Sequence, residues 1–321
     1  MDRPDYGYLA GDADEAAGAA PPAPPYQPLD CQTDYLTKIM DLREKDGVGI
    51  PQAEFPEWDE LISGNFGIKV GKNKLMLVSG RIHPMLEKHG FADYRACLAA
   101  IRNDSSGRLL SELANRISTN HTSFYREEAH FQLLTENILP DLIERKRKAG
   151  NPDLRVWCAA CATGEEAYSI LFCLLNFLHS DYSGWQSGVL ATDISASALK
   201  TASAGRYDRR RLEPVPRNDV LQYFSQLDDN WYEVKEEFRR EITFRRLNLI
   251  NDAYPFRQLF DIIFCRNVMI YFPAAVRKAL LENLRIWLEP GGYLFIGHSE
   301  SLLGSRGGYK YVAPAVYSRL P

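Results

Sequence analysis

The pattern of apolar and polar residues divides the chain into regions in which the apolar residues are spaced differently. Between Asp34 and Asp104, apolar residues recur at three- and four-residue spacing, as in WDELISGNFGIKVG and LMLVSGRIHPMLEKHGF. This spacing predicts amphipathic helices. From about Leu154 onward, short apolar runs of strand length alternate with helical stretches. Strands that alternate with helices predict a parallel sheet wrapped by helices on both faces.

The C-terminal region contains apolar runs that predict buried strands, namely LRVWCAA, SGVLATD, FDIIFCR and GYLFIGH. GEEAYSILFCLLNFLHS predicts the helix after the first strand, and AAVRKALLENLRIWLEPGG predicts a helix that stops at its Pro-Gly-Gly. The final segment YKYVAPAVYSRL predicts a last strand or hairpin on the same sheet. We therefore predict a small helical domain over residues 31–112 and an α/β domain over 113–321.

Composition narrows the possible classes of protein. A chain of 321 residues has room for two domains. Residues 1–30 are acidic and rich in Pro and Ala, which predicts a disordered tail. The net charge of −4 argues against nucleic-acid binding. No signal peptide and no apolar stretch long enough for a bilayer is present, so we expect a cytoplasmic protein without membrane insertion.

The segment VWCAACATGEEAYSILF, Val156 to Phe172, permits two chemical interpretations. In the first, the C-x-x-C spacing of Cys158 and Cys161 forms a redox dithiol or half of a zinc site. Against both, Cys158 continues a buried strand, and no second pair of ligands follows at metal spacing. We therefore expect neither redox chemistry nor a metal at this segment.

In the second interpretation the segment is a cofactor loop between a strand and a helix. Its small residues allow the backbone to approach a ligand; they are Ala159, Ala160, Ala162 and Gly164. The loop has no basic residue and is followed by Glu165 and Glu166, which disfavours a pyrophosphate and favours a ligand such as S-adenosylmethionine. Asp193, at the end of the next strand, lies where a carboxylate usually accepts ribose hydroxyls. Alternatively, the two glutamates only complement the helix N-terminus.

The segment NHTSFYREEAHF also combines polar and aromatic side chains. In one interpretation, Asn120 or Thr122 caps the helix that follows, and Arg126 is a solvated helix residue. In the other, the three side chains face the carboxylate and the adenine edge of a ligand. The segment alone favours the first interpretation.

Two strand ends carry further candidate residues. DIIFCRNVMIYF ends in Arg266 and Asn267, at the edge of the sheet where active sites of this fold class lie. Tyr271 follows and is either part of the site or a core residue. In GHSESL, His298 and Glu300 are either catalytic or part of a hydrogen-bonded turn, and we favour the turn.

Taken together, NHTSFYRE, VWCAACATGEEAYSIL, ATDISASALKTASAGRY, FCRNVMIYF and GGYLFIGHSESL resemble the CheR-type methyltransferases that modify chemotaxis receptors. The resemblance covers about Glu60 to Ser318. It implies a Rossmann-like S-adenosylmethionine-dependent methyltransferase domain preceded by a small all-helical domain. It also implies a small antiparallel β-subdomain inserted at about residues 207–245.

The resemblance implies S-adenosylmethionine as cofactor, S-adenosylhomocysteine as product and no metal. The residues that fall on cofactor-binding positions are Asn120, Thr122, Arg126, Glu166, Asp193, Asn248, Leu249, Arg266 and Asn267. Arg126 and Tyr271 match residues that orient the reacting groups. Cys158 and Cys161 fall on loop positions where relatives have small residues, which implies packing thiols.

The implied reaction transfers a methyl group to glutamate side chains of a chemoreceptor's cytoplasmic helices, giving methyl esters. One alternative is a catalytically silent module that binds S-adenosylmethionine or S-adenosylhomocysteine and signals through a partner. The presence of Arg126, Asn267 and Tyr271 argues against it. A second alternative, an enzyme of this fold that acts on a small molecule or nucleic acid, is disfavoured by the acidic charge and the family-specific segments.

Receptor binding has candidate residues in the helical domain. They either face an acidic receptor helix bundle or form a solvated surface; they are Lys69, Lys72, Lys74, Arg81 and Lys88. Some relatives grip a tethering peptide by strand addition to a glycine-containing hairpin. The corresponding segment QLDDNWYEVKEEF lacks glycine. We therefore expect an enzyme that does not depend on a tether. We also expect a monomer.

Overall fold

The computed structural model describes residues 49–71, 74–302 and 307–321. The predicted disordered tail and Lys72 lie outside these residues. Within the described part of the chain, none of the helices combines the length and apolar character needed to cross a membrane.

The described chain forms two compact units. The helical unit contains the described residues up to Thr119 together with Tyr271–Pro273, and the larger unit contains Asn120–Ile270 and Ala274–Pro321. The predicted boundary at residues 112 and 113 is therefore too early. It cuts through a continuous helix, Arg108–Ile117, whose apolar side is buried in the helical unit.

The helices that the structure describes in the helical unit are α1 (Phe55–Phe66), α2 (Leu75–His89), α3 (Tyr94–Asn103) and α4 (Arg108–Ile117). Each contributes apolar side chains to the buried core, among them Trp58, Ile82, Leu98 and Leu113. The Asp93 carboxylate accepts a hydrogen bond from the Ala96 amide at 2.7 Å, which caps the start of α3. The apolar spacing thus predicted α1, α2 and α3 correctly, whereas α4 lies beyond the segments in which it was identified.

The strands in the described residues are β1 (Asp153–Ala159), β2 (Gln186–Asp193), β3 (Arg206–Asp208), β4 (Phe224–Gln226), β5 (Trp231–Val234), β6 (Ile242–Arg246), β7 (Phe260–Cys265), β8 (Leu288–Ile296), β9 (Tyr309–Ala313) and β10 (Val316–Arg319). Seven of them form one sheet in the order β6-β2-β1-β7-β8-β10-β9. The first five run parallel, and β10 is antiparallel to both of its neighbours. The four predicted strands and the C-terminal hairpin are confirmed.

The helices of the larger unit are α5 (Ala129–Leu133), α6 (Leu139–Lys148), α7 (Glu165–Leu178), α8 (Ala196–Ala204), α9 (Arg217–Tyr223), α10 (Glu236–Arg239) and α11 (Ala274–Trp287). The predicted helix end at Pro-Gly-Gly is wrong by three residues, because α11 ends at Trp287. Pro290 lies inside β8, where the pairing with β7 shifts register. In this sheet β1 and β7 are neighbours, so a crevice for a ligand is expected outside their carboxyl ends.

A small antiparallel sheet in the order β3-β5-β4 is inserted between α8 and β6. This insertion confirms the predicted β-subdomain. The predicted range of about 207–245 extends too far, because β6 pairs in parallel with β2 in the large sheet.

Candidate active site

The loop between β1 and α7 follows an unusual backbone path. Ala160 and Ala162 have φ values of 65° and 48°, and Gly164 has φ 97°. The left-handed region costs a residue with a Cβ about 1–2 kcal/mol. At Gly164 a Cβ would also lie 2.8 Å from the Ala202 Cβ. Backbone strain of this kind is concentrated at functional sites, so the loop is a candidate ligand cradle.

Asp193, the last residue of β2, holds this loop in place. Its Oδ2 accepts a hydrogen bond from the Ala162 amide at 2.8 Å, and its Oδ1 accepts one from the Ser195 amide at 2.8 Å. The residue is buried, and burial raises the pKa of its carboxyl group. A carboxylate oxygen can accept more than one hydrogen bond, so Asp193 can still accept hydrogen bonds from ligand hydroxyls.

Glu165 is attached to the inserted β-subdomain. Its carboxylate is fully buried, accepts a hydrogen bond from Thr163 Oγ1 at 2.7 Å and forms an ion pair with Arg211. Burial raises the pKa of Glu165, and the Arg211 charge opposes that rise. The Tyr207 hydroxyl, from β3, donates to the Thr163 carbonyl at 2.8 Å. The inserted β-subdomain therefore braces the loop, which the helix-terminus interpretation of Glu165 did not anticipate.

Cys158 and Cys161 are buried free thiols. Cys158 Sγ donates to Glu166 Oε1 at 3.4 Å. Burial raises the pKa of both thiols well above its ordinary value, reinforced by Glu166 at Cys158 and Asp193 at Cys161. A reactive dithiol requires an accessible thiolate. The two cysteines therefore act as packing groups.

Arg266 connects the carboxyl end of β7 with two other segments. Its Nη1 donates to Glu166 Oε2 at 2.8 Å, and its Nη2 donates to Glu127 Oε2 at 2.9 Å. Nη2 also donates to the carbonyl oxygen of Arg126 at 2.5 Å. The guanidinium is fully buried, so the two carboxylates supply the negative charge that its burial requires.

Glu127 and Asn267 complete this arrangement and both have left-handed backbones, with φ values of 58° and 57°. Asn267 Nδ2 donates to Glu127 Oε1 at 3.2 Å. Burial favours a higher pKa for Glu127, but its bonds with Arg266 and Asn267 outweigh burial and lower the pKa. Glu127 was not among the predicted site residues. The only signal in the sequence was its place directly after Arg126.

Glu300 joins the chain segments that follow β7 and β8. Its carboxylate accepts hydrogen bonds from the amides of Gly297 at 2.6 Å, Asn267 at 3.0 Å and Met269 at 2.7 Å. The predicted hydrogen-bonded turn is confirmed for Glu300. This carboxylate therefore fixes the backbone of Asn267.

The remaining predicted residues lie on the surrounding loops of their units. Asn248 and Leu249 follow β6, close to Asp193, whose carbonyl accepts a hydrogen bond from the Leu247 amide at 3.0 Å. Arg126 Nη1 donates to the His121 carbonyl oxygen at 2.9 Å. Asn120 and Thr122 are half-buried at the start of the larger unit.

Tyr271 ends a short 3₁₀ turn, Met269–Tyr271, and is half-buried. The structure groups it with the helical unit.

The donor set of this site fits S-adenosylmethionine. Carboxylates suit a ligand that carries a sulfonium and an ammonium, and Asp193 is placed to accept ribose hydroxyls. The loop itself offers no basic side chain for a phosphate, and its acidic neighbours Glu165 and Glu166 would repel one.

The sequence matches two family models along most of its length. Residues 53–118 match the CheR methyltransferase all-alpha domain, and residues 120–317 match the CheR methyltransferase SAM binding domain. The chain is similar to the chemotaxis protein methyltransferase of Borreliella burgdorferi, with 35% identity over 85% of this chain and 96% of the relative. It is also 35% identical to chemotaxis protein methyltransferase 1 of Pseudomonas aeruginosa, over 78% of this chain and 90% of the relative.

A crystal structure of the glycopeptide N-methyltransferase MtfA with S-adenosylmethionine is also similar, with 20% identity and a TM-score of 0.28. That match covers 44% of this chain and 46% of the other. The score is too low to support any conclusion about the site.

Proposed function

The chain belongs to the CheR methyltransferase family, and on this premise we propose that it methylates glutamate side chains of a chemoreceptor's cytoplasmic helices. It is an S-adenosylmethionine-dependent methyltransferase of chemotaxis. The observation that supports the proposed site is the strained loop after β1, which is followed by two glutamates and has Asp193 and the buried Arg266 beside it.

The proposed cofactor-binding residues are Asn120, Thr122, Arg126, Glu166, Asp193, Asn248, Leu249, Arg266 and Asn267. When bound, S-adenosylmethionine supplies an electrophilic methyl group on a sulfonium. Asp193 is suited to accept ribose hydroxyls, because its oxygens lie at the end of β2 and are fixed by two backbone amides. Glu166 is oriented by Arg266, so its carboxylate keeps a single position at the start of α7.

The proposed reaction needs orientation more than acid–base catalysis. A solvated glutamate has a pKa of about 4.3, so at pH 7 it is already a nucleophilic carboxylate. The protein must hold that carboxylate in line with the methyl group. We assign this orientation to Arg126 and Tyr271. A single arginine is suitable because a strongly cationic pocket would overstabilise the substrate carboxylate, which loses its charge during transfer.

The receptor contact is proposed on the helical unit, where charge complementarity would attract an acidic helix bundle. Lys69 and Lys74 are exposed and available for it. Lys88 pairs with Glu112 at 2.9 Å, and Arg81 donates to the carbonyl oxygen of Ile117 at 2.6 Å. These two side chains therefore contribute to the stability of the helical unit as well. Lys72 lies outside the described residues.

The test uses the purified chain, methyl-labelled S-adenosylmethionine and a soluble receptor cytoplasmic fragment. Glutamyl methyl esters release labelled methanol in mild alkali, whereas N-methyl products retain the label. We expect alkali-labile label that disappears when the receptor's methylated glutamates are replaced by alanine. Alkali-stable label would contradict the glutamate assignment.

A second measurement separates catalysis from binding. A catalytically silent module would bind S-adenosylmethionine in calorimetric titration and leave the receptor unlabelled. For an enzyme, Tyr271→Phe should lower the labelling rate more than it lowers cofactor affinity. Equal losses of both would assign Tyr271 to the pocket alone.

A further inference from the structure

Glu127, His130 and His298 converge beside Arg266 although the sequence separates His298 from Glu127 by 171 positions. Glu127 Oε2 lies 3.5 Å from His130 Nδ1 and 4.0 Å from His298 Nδ1. The three candidate ligand atoms all lie within 4.8 Å of one another. Two imidazole nitrogens and a carboxylate oxygen form a common ligand set for a transition metal.

His130 is the residue that points to a ligand. It is only 2% exposed, and its Nδ1 has no hydrogen-bond partner among the described residues. Its Nε2 lies 3.4 Å from the carbonyl oxygen of Pro314, which can only accept, so this contact is a hydrogen bond in the tautomer that carries the ring proton on Nε2. In that tautomer Nδ1 presents its lone pair towards the Glu127 carboxylate. A lone pair that faces a carboxylate is unfavourable, and a cation between the two atoms would relieve it.

The surroundings of these side chains resemble those of established metal ligands. A metal-bound histidine usually donates its second ring N–H to a carbonyl or carboxylate, as His130 does to Pro314. Glu127 is itself oriented by Arg266 and Asn267.

The exposure of His298 also suits a bound ion. The His298 side chain is 45% exposed, which gives an ion access from solvent. The same exposure leaves room for a water ligand.

We propose that Glu127 Oε2, His130 Nδ1 and His298 Nδ1 bind a divalent transition-metal ion of the zinc class, with water as the fourth ligand. Bonds of about 2.0–2.1 Å place tetrahedral ligand atoms about 3.4 Å apart. The Glu127–His130 separation of 3.5 Å already matches this distance, and His298 Nδ1 lies 4.0 Å from Glu127 Oε2.

The experiment measures the binding of Zn²⁺ by calorimetric titration and the binding of Co²⁺ by visible absorption. Both use the full chain without a histidine tag. Cys31 is replaced by serine in all proteins, because it lies outside the described residues and the other cysteines are buried. We expect one Zn²⁺ per chain and a Co²⁺ spectrum with the intense bands of a tetrahedral site. His298→Ala should weaken Zn²⁺ binding at least about tenfold and remove those bands.

The matched control is His179→Asn, which removes an exposed histidine elsewhere in the same unit. Asparagine tolerates the left-handed backbone of His179, where φ is 45°. Zn²⁺ affinity should be unchanged in this variant. The proposal is overturned if His298→Ala binds Zn²⁺ as tightly as the parent protein, or if neither metal binds with defined stoichiometry.

Discussion

Glu127 Oε2 and Arg266 Nη2 lie 2.9 Å apart and join two segments that are 139 positions apart in the sequence. Arg266 also reaches Glu166 with its other terminal nitrogen, so a single buried guanidinium holds two carboxylates from separate segments. A buried charge that loses its partner is costly, which makes this arginine the most sensitive point of the site.

Replacement of Arg266 by methionine should therefore destabilise the larger unit by about 3–5 kcal/mol, because Glu127 and Glu166 lose their counter-charge. Urea unfolding monitored by circular dichroism measures the change. The control is Arg285→Met, which breaks the surface pair between Arg285 and Glu282 and should cost less than about 1 kcal/mol. An equal loss of unfolding free energy in both variants would contradict the inference that the buried Arg266 pairs stabilise the fold more than a surface pair does.

Replacement of Gly164 by alanine should destabilise the fold by at least about 2 kcal/mol. The new Cβ would meet Ala202 at 2.8 Å and would have to accept a φ of 97°. Gly184→Ala is the control within the same unit, because nothing lies within 4 Å of its added Cβ. Thermal unfolding compares the stability of the two variants directly. A Gly164→Ala variant as stable as the control would contradict the close approach of this Cβ to Ala202.

Replacement of Asp193 by alanine should weaken S-adenosylhomocysteine binding at least about tenfold, or about 1.4 kcal/mol. The variant loses both the acceptor for ligand hydroxyls and the anchor of the Ala162 amide. Asp141→Ala removes an exposed carboxylate of α6 that pairs with Arg145 and should leave the affinity unchanged. Calorimetry tests both variants, and unchanged affinity in Asp193→Ala would remove this residue from the site.

Glu112 gives the helical unit a measurable pH dependence. Burial favours a higher pKa, but hydrogen bonds from His89, Lys88 and Arg116 outweigh burial and lower the pKa of Glu112 from 4.5 to about 2. A carboxyl group with a lowered pKa in the folded state stabilises that state above its unfolded pKa. Its contribution is therefore complete above about pH 4.5 and is lost as the pH falls through about 2.

Glu112→Gln should accordingly lower the free energy of unfolding by about 1 kcal/mol at pH 7, after allowance for solvent screening. The difference from the parent protein should shrink between pH 4.5 and pH 3. Glu87→Gln, at a more exposed carboxylate of α2, is the control and should show little difference at any pH. A Glu112→Gln difference that is constant with pH would show that lost packing, not charge, is responsible.

The sequence predicted the central strands because each is a short, continuous apolar run that is buried on both faces. It did not predict β6, whose segment ITFRR has one buried residue, Ile242, and ends in two consecutive arginines at the edge of the large sheet. A strand in that position resembles an exposed loop in composition. Its assignment depends on pairing with β2, which no local pattern reveals.

In the candidate site, too, some residues could be predicted from local sequence and others could not. Asp193, Arg266 and Asn267 were predictable because they end apolar strands, and strand ends meet at one edge of a parallel sheet. Glu127 was not predictable, because its role arises from contacts with Arg266 and Asn267, which are distant in sequence. The family resemblance named the residues expected to touch the ligand, but it did not name Glu127, the carboxylate that contacts Arg266 and Asn267.

The contacts of the inserted β-subdomain restrict how this enzyme can diverge. Tyr207 and Arg211 brace Thr163 and Glu165, so loss of that part would leave a buried carboxylate without a counter-charge. The exposed turn at residues 227–230 makes no such contribution and can change in length or composition. Evolution can therefore remodel the tip of the insertion for a new partner while its base stays fixed under the cofactor loop.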